Sequence, residues 1–446
     1  MRDILLVVVV FGALPIVLLR PQIGVILWCW LSYMNPQTLA HGLARGMRFA
    51  AFVAVALIAG LLISGERKRL PRSPVVGLWF LWVGWQCITT WLAFYPTIAE
   101  VALNKTLKIQ LITLCIMLIM WSRPRIDATV WVIVLSLGYF GVRGGLMTLV
   151  TGGQYRVWGP DGGFIAGNNE LGLALTMTLP LMRYLQLSTR THWIRLGLLG
   201  VMVLTVVAII GTYSRGGFLA ASAMGIVLAL KSRHRLRLLV VGAVLIPLAL
   251  GLMPERWFER MGTIKTYEQD ASAMSRINSW NFAINLANDN PVFGGGYGTF
   301  QAPMFAKYAP DPTIVYDAHS IYFEVLAEHG YGGLAIFVAL AFASWRAATR
   351  TAAAAANNPN LIWAHDLSRM LQVSIVGYAV GGAFLGLAYF DLFYNLIALV
   401  VLTQAVVREG TAAVHAGGPS VEGREVNPGT RPAPSSLSPS RAGQRR

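Results

Sequence analysis

The sequence predicts an all-α, polytopic membrane protein, a helical bundle of 12 or 13 transmembrane helices with one large loop on its outer side. Three observations carry that prediction. Of 446 residues, 55% are hydrophobic and only 13% charged, so length counts spans of about 20 residues rather than soluble domains. The formal charge of +16 sits in short basic breaks between apolar runs and in the C-terminal tail. That is the positive-inside pattern of cytoplasmic loops, and no nucleic acid is expected as a partner. One polar stretch, roughly 254–318, is far longer than the other breaks.

The apolar runs lie at 4–19, 22–34, 48–64, 75–94, 98–121, 127–150, 165–187, 194–212, 216–231, 236–253, 320–345, 369–388 and 391–407. Met-Arg-Asp before the first run lacks a small-residue cleavage site and reads as the start of a membrane segment. The second run is short for a span. It pairs with the first as a re-entrant hairpin or crosses alone, which leaves the count at 12 or 13. Arg67, Lys68, Arg69 and Arg72 mark one cytoplasmic break and Arg123 with Arg125 the next. Arg190 with Arg195, then Lys231 with Arg233, Arg235 and Arg237, and finally Arg346 with Arg350 continue the series. Each lies two spans from its neighbour, so 35–47, 94–98, 151–164, 212–216, 254–318 and 388–391 face outward.

This divides the chain into an N-terminal transmembrane region (1–164), a first core part (165–253), the large loop (254–318), a last core part (319–408) and a tail (409–446). The loop has helical patterning at Arg276–Ala287 and turns at Pro291 and Gly294–Gly298. The tail, rich in Pro, Ser, Gly and Arg, is expected to be disordered, cytoplasmic and in touch with anionic lipid. Cys29, Cys87 and Cys115 all lie in apolar runs, as packing residues without metal spacing.

Polar residues that could carry chemistry gather on the outward side. His319 is expected in the first helical turn after the loop, where the helix dipole favours a neutral, proton-accepting imidazole. Asp317 and Ser320 compete to cap that helix. Arg215, in Gly-Thr-Tyr-Ser-Arg-Gly-Gly, sits in a tight turn whose backbone donors and guanidinium suit a phosphate or pyrophosphate; the alternative is a snorkelling anchor. Arg276, read alone, is a solvated loop arginine. Asn168, Asn169 and Glu170 either bind sugar hydroxyls or cap their helix, and Arg143 and Arg156 stand by for a second phosphate. Lys105 and Lys108 share a helix face, either snorkelling or meeting a lipid phosphate. Glu324 and Glu328 fall on a face turned away from His319 and read as structural. The Gly294–Gly298 run reads as a tight turn and not a dinucleotide site. No outward cluster has metal-ligand spacing, since Asp317-Ala-His319 offers too few ligands. Phosphate chemistry is therefore assigned to arginines, with no metal or cofactor.

Ser214-Arg215-Gly216, then Arg276-x-x-x-Trp280-x-x-Ala283 with Pro291-x-x-Gly294-x-Gly296-x-Gly298-x-Phe300, then His319-Ser320-x-Tyr322 with Glu328-x-Gly330, together resemble the O-antigen ligase and polysaccharide polymerase superfamily. The likeness covers about 165–405, with His319-Ser320 where the family usually has His-Asn. Trp28–Pro36 resembles the O-glycosylation ligases associated with exosortase systems. The resemblance implies a GT-C-like, metal-independent glycosyltransferase of the bacterial inner membrane, its active site facing the periplasm. It implies a glycan donor on undecaprenyl pyrophosphate and a protein or glycan acceptor. By matching position, Arg215 and Arg276 would hold the pyrophosphate and His319 would activate the acceptor hydroxyl, with Tyr322 and Asp317 as accessory residues. A polymerase of repeat units is the nearest alternative reading. A flippase or transporter of lipid-linked glycan is the alternative from another class, and it predicts mid-membrane charges that the pattern does not favour.

Overall fold

Proline starts several helices and apolar sequence continues them. In the computed structural model, which describes residues 2–40, 42–231, 253–262 and 271–415 and positions 240, 243, 247, 250 and 251, α1 is Arg2–Leu19, α2 Pro21–Met34 and α3 Phe49–Ile63. Then come α4 Pro74–Trp91, α5 Pro96–Ile119 and α6 Arg123–Val150. Pro sits in the first two positions of α2, α4, α5 and α6, where its missing N–H costs nothing. The chain continues through α7 Asn168–Ser188, α8 His192–Gly211 and α9 Arg215–Lys231. The large loop holds α10 Glu255–Gly262, α11 Ala271–Asp289 and α12 Ala302–Tyr308; after it come α13 Ile321–Ala355, α14 Ile362–Gly382 and α15 Asp391–His415.

The described residues contain helices and no strand, as expected for an all-α bundle. Among the described residues five helices are long and apolar enough to cross a membrane: α5, α6, α8, α13 and α15 through Thr411. α1, α3 and α9 are shorter apolar helices. Among the described residues every expected run except 236–253 falls on a helix, but several of these helices are too short or too polar to qualify as spans by length and composition. Arg233, Arg235 and Arg237, most of the 236–253 run, residues 263–270 and the tail from 416 lie outside the described residues. Residues Met1–Val407 form one unit and Arg408–Arg446 a second.

Small residues set a close contact between α6 and α8. A Cβ on Gly145 of α6 would overlap the Leu204 carbonyl oxygen of α8, and one on Gly141 would overlap the Thr205 hydroxyl. Such small-residue seams let backbones approach where lipid gives no hydrophobic drive for association.

The breaks between helices segregate to two ends. At one, the Arg69 N–H donates to Leu118 O (3.1 Å) and Trp121 Nε1 donates to Arg69 O (2.8 Å). There also Arg125 pairs with Glu66 at 2.7 Å, and Gln186 Nε2 donates to Arg195 O at 3.1 Å. This is the basic end. At the other, the Phe94 N–H donates to Gly295 O (2.9 Å) and the Val157 N–H to Gly211 O (3.0 Å). Residues 94, 157 and 295 belong to breaks that the charge pattern groups together, Gly211 borders a fourth, and this is the loop end.

α13 is two helical pieces joined at Gly330, whose φ of 68° and ψ of −174° only glycine adopts readily. The break would strand the last carbonyls of the first piece. The glycine turn takes them: the Gly295 N–H donates to Ala327 O (2.8 Å) and the Gly296 N–H to Glu328 O (2.9 Å). Trp85 Nε1 donates to His329 O (3.1 Å), and the freed Tyr331 N–H donates to Pro291 O (2.8 Å). The Gly294–Gly298 run and Glu328-x-Gly330, thirty residues apart, are thus one device that holds the short piece Ile321–His329 in place.

Candidate functional site

Side chains of α11 build the floor under His319. Asn278 Nδ2 donates to the carbonyls of Asp311 (2.8 Å) and Ile314 (3.0 Å), Ser279 Oγ to Tyr316 O (2.8 Å), and Trp280 Nε1 to Ala318 O (2.8 Å). The segment so pinned runs straight into His319. That residue is not in the first helical turn, contrary to expectation. Ser320 is the N-cap with extended backbone (φ −155°, ψ 123°), α13 begins at Ile321, and His319 stands before it with a left-handed φ of 44°. Neither Ser320 nor Asp317 caps through its side chain. The left-handed turn is what converts the pinned segment into the helix, at a cost of order 1–2 kcal/mol for a residue with a Cβ.

Burial depresses the pKa of the half-buried His319, and the Arg276 guanidinium, one turn before Trp280 on α11, depresses it further. The carboxylates of Asp317 and Glu170 oppose this, yet the net shift is downward from 6.5. The imidazole is therefore neutral at pH 7. The direction expected from the sequence holds, but desolvation and Arg276 supply the cause.

Arg215 opens α9 after Tyr213, which is left-handed at φ 58°. Ser214 Oγ accepts the Gly217 N–H at 2.9 Å and so caps the helix. Two bridges join this turn to His319. In α7, Asn168 Nδ2 donates to Thr212 O (2.7 Å), and a Cβ on Gly172 would lie 3.5 Å from the Ser214 Cβ. Two residues before Gly172, Glu170 folds over Gly167 and acts on His319. In the α14–α15 connection, a Cβ on Gly216 would lie 3.2 Å from the Phe384 Cβ, and one on Gly386 would lie 3.8 Å from the His319 Cα. With 3.8 Å between successive Cα atoms, this bounds the Gly216–His319 Cα separation at about 19 Å. Arg276 thus acts on His319 directly, and the turn that carries Arg215 lies within that bound of it.

The accessory residues divide. Glu170 and Asp317 are beside His319, with Asp317 exposed. Asn168 is buried and pins the Arg215 turn, a structural role. Asn169 is half-buried next to it. Arg156 is exposed, its guanidinium carbon 5.7 Å from the centre of the Tyr213 ring, and so flanks the Arg215 turn. Arg143 is exposed on α6, with no hydrogen bond or ion pair among the described residues. Tyr322 Oη donates to Ala379 O (2.9 Å) and ties α13 to α14. Lys105 rests its ammonium 3.7 Å from the centre of the Phe164 ring. Among the described residues no three His, Cys, Asp or Glu side chains form a metal-binding group.

A buried polar network that leaves no motif in the sequence joins α4, α13 and the segment just before α15. Tyr389 Oη donates to Glu328 Oε2 (2.6 Å) and meets His329 Nε2 (2.8 Å), while His329 Nδ1 meets Thr89 Oγ1 (2.7 Å). Glu328 Oε1 also accepts the Gly298 N–H at 2.9 Å. Glu324, assigned to a face away from His319, instead shares Gly386 with it: a Cβ there would lie 3.5 Å from Glu324 Oε2. A helical spacing of 100° per residue would separate the two only if His319 were helical, and its backbone is left-handed.

No curated protein matches the chain. Residues 1–189 match a family of unknown function, and residues 200–338, which contain Arg215, Arg276 and His319, match the O-antigen ligase family. The matched segment is shorter than the 165–405 of the sequence resemblance, and Asn168–Glu170 fall in the other family's part. The O-antigen ligase domain at 200–338, less than half of the chain, supports a place in the O-antigen ligase superfamily and a membrane protein of ligase or polymerase type in surface-glycan biosynthesis.

Proposed function

We propose that this protein is a glycan ligase with a GT-C-like architecture. It moves a saccharide from undecaprenyl pyrophosphate to an acceptor hydroxyl, on protein or on a related surface glycan, at the periplasmic face of the bacterial inner membrane. The observation that supports this best is the grouping at the loop end. A neutral imidazole has one guanidinium acting on it, and the turn that presents a second guanidinium is bridged to it by α7 and by 384–386. Away from the basic breaks, that end faces outward by the positive-inside rule.

In this reading the acceptor hydroxyl gives its proton to His319 as its oxygen attacks the anomeric carbon. The bond from that carbon to the pyrophosphate oxygen breaks, and the pyrophosphate remains on the lipid. Arg215 and Arg276 stabilise the charge that builds on the departing phosphate oxygens, and the lowered basicity of His319 keeps it unprotonated for the task. No nucleotide is required, because the leaving group carries the driving force.

The test is deletion of the gene and complementation with His319→Ala or Arg215→Lys, followed by mass spectrometry of lipid-linked glycan, secreted protein and polysaccharide. We expect both variants to insert normally and to leave long glycan on the carrier. A lysine replaces the charge of Arg215 but not its fork. Full transfer by His319→Ala would refute the base, and isolated single units on the carrier would point to a polymerase.

A further inference from the structure

The pinned segment beside His319 has a second edge. Within 314–319, which contain no helix or turn, the carbonyls bonded by α11 are those of Ile314, Tyr316 and Ala318, every second residue. In an extended chain the main-chain groups of alternate residues point to opposite sides. The groups of Val315 and Asp317 therefore point away from α11. Among the described residues nothing bonds the N–H or C=O of either. Residues 312–317 are all exposed. Ile314, Val315 and Tyr316 are 38%, 40% and 46% accessible, and the Tyr316 ring centre is 5.1 Å from that of His319.

From this edge we infer that Val315 and Asp317 form a docking track for an extended polypeptide, which joins them as a neighbouring strand and delivers a serine or threonine hydroxyl to His319. This rests on the ligase reading above and assigns its acceptor to protein. Each free residue presents one N–H donor and one C=O acceptor on the same side, repeating about every 6.6–6.8 Å. An extended peptide backbone offers the complementary pair at the same repeat, which is the basis of recognition by strand addition. Sugar hydroxyls and lipid headgroups carry no such directional repeat. Exposed edges are ordinarily blunted by lysine, proline or a bulge. Residues 313–318 contain neither lysine nor proline, and their one charge is Asp317, two residues from the imidazole.

The test uses membranes of the deletion strain, which hold the accumulated lipid-linked donor, resupplied with the full-length protein. Two probe acceptors are offered: a blocked ten-residue peptide of alternating valine and threonine, and a dextran oligosaccharide. We expect glycan on the peptide. Backbone N-methylation of one alternate set of its residues should lower transfer at least tenfold, and methylation of the other set by less than threefold. Val315→Pro, which deletes one edge donor whose N–H bonds nothing within the fold, should raise the peptide KM at least tenfold at unchanged protein abundance. Transfer to dextran alone, equal effects of both methylation sets, or a wild-type KM for Val315→Pro would overturn the track while leaving the ligase reading in place. Transfer to neither probe would sink both.

Discussion

Gly330→Ala tests the device that places His319. At φ 68° and ψ −174° an alanine is strained by roughly 1–3 kcal/mol. Its Cβ would also lie 2.6 Å from Val292 O and 2.8 Å from Pro291 O, both backbone atoms, where ordinary contact begins at 3.4 Å. The Pro291–Val292 turn must then retreat by roughly 0.5–1 Å. A displacement of about 1 Å near a reacting group can cost 10²-fold in rate. Straightening α13 instead would forfeit the four bonds made by Gly295, Gly296, Trp85 and Tyr331, at about 0.5–1.5 kcal/mol each. By either route the short piece after His319 moves. We expect glycan transfer in membranes to fall roughly 10–100-fold, with insertion and abundance by immunoblot near normal. Gly225→Ala, on α9 with nothing within 4 Å of the new Cβ, is the matched control and should be neutral. Wild-type transfer by Gly330→Ala would show that the break does not position the site.

Two further outcomes follow from the geometry. Because burial and Arg276 depress the pKa of His319, the acid limb of kcat/KM should lie below pH 6.5. Removing the positive charge in Arg276→Gln lets that pKa rise and should move the limb to higher pH. Asp317→Asn removes an opposing carboxylate and should move it lower; a limb that stays put in both would exclude His319 as the titrating base. Gly145→Leu must force α6 off the Leu204 backbone, an overpacking worth about 1–3 kcal/mol. It should lower the thermal stability of detergent-solubilised protein, and an unchanged unfolding temperature would count against the seam.

The helical bundle was legible because apolar runs and basic breaks are local signals. The run 320–345 marks α13, although Ala and Thr carry the helix on to Ala355. Arg215, Arg276 and His319 were legible as motif positions, but their proximity was not, since α7 and the 384–386 segment supply it from far away in sequence. The turn at Gly294–Gly298 was legible as a turn. Its partner Gly330 was not, because a positive φ inside a strongly helical stretch leaves no periodic trace. The same limit hid the left-handed backbone of His319 and, with it, the true neighbour of Glu324.

The bond from Asn168 to Thr212 crosses from the segment matching the family of unknown function to the O-antigen ligase domain. Glu170 crosses the same border to reach His319. The two halves are therefore not interchangeable cassettes. A chimera that exchanges the first 189 residues between relatives must carry 168–172 and 212–217 as a matched pair. Recombination between those positions would separate His319 from a carboxylate that acts on it, and should be tolerated less often than recombination elsewhere along the chain.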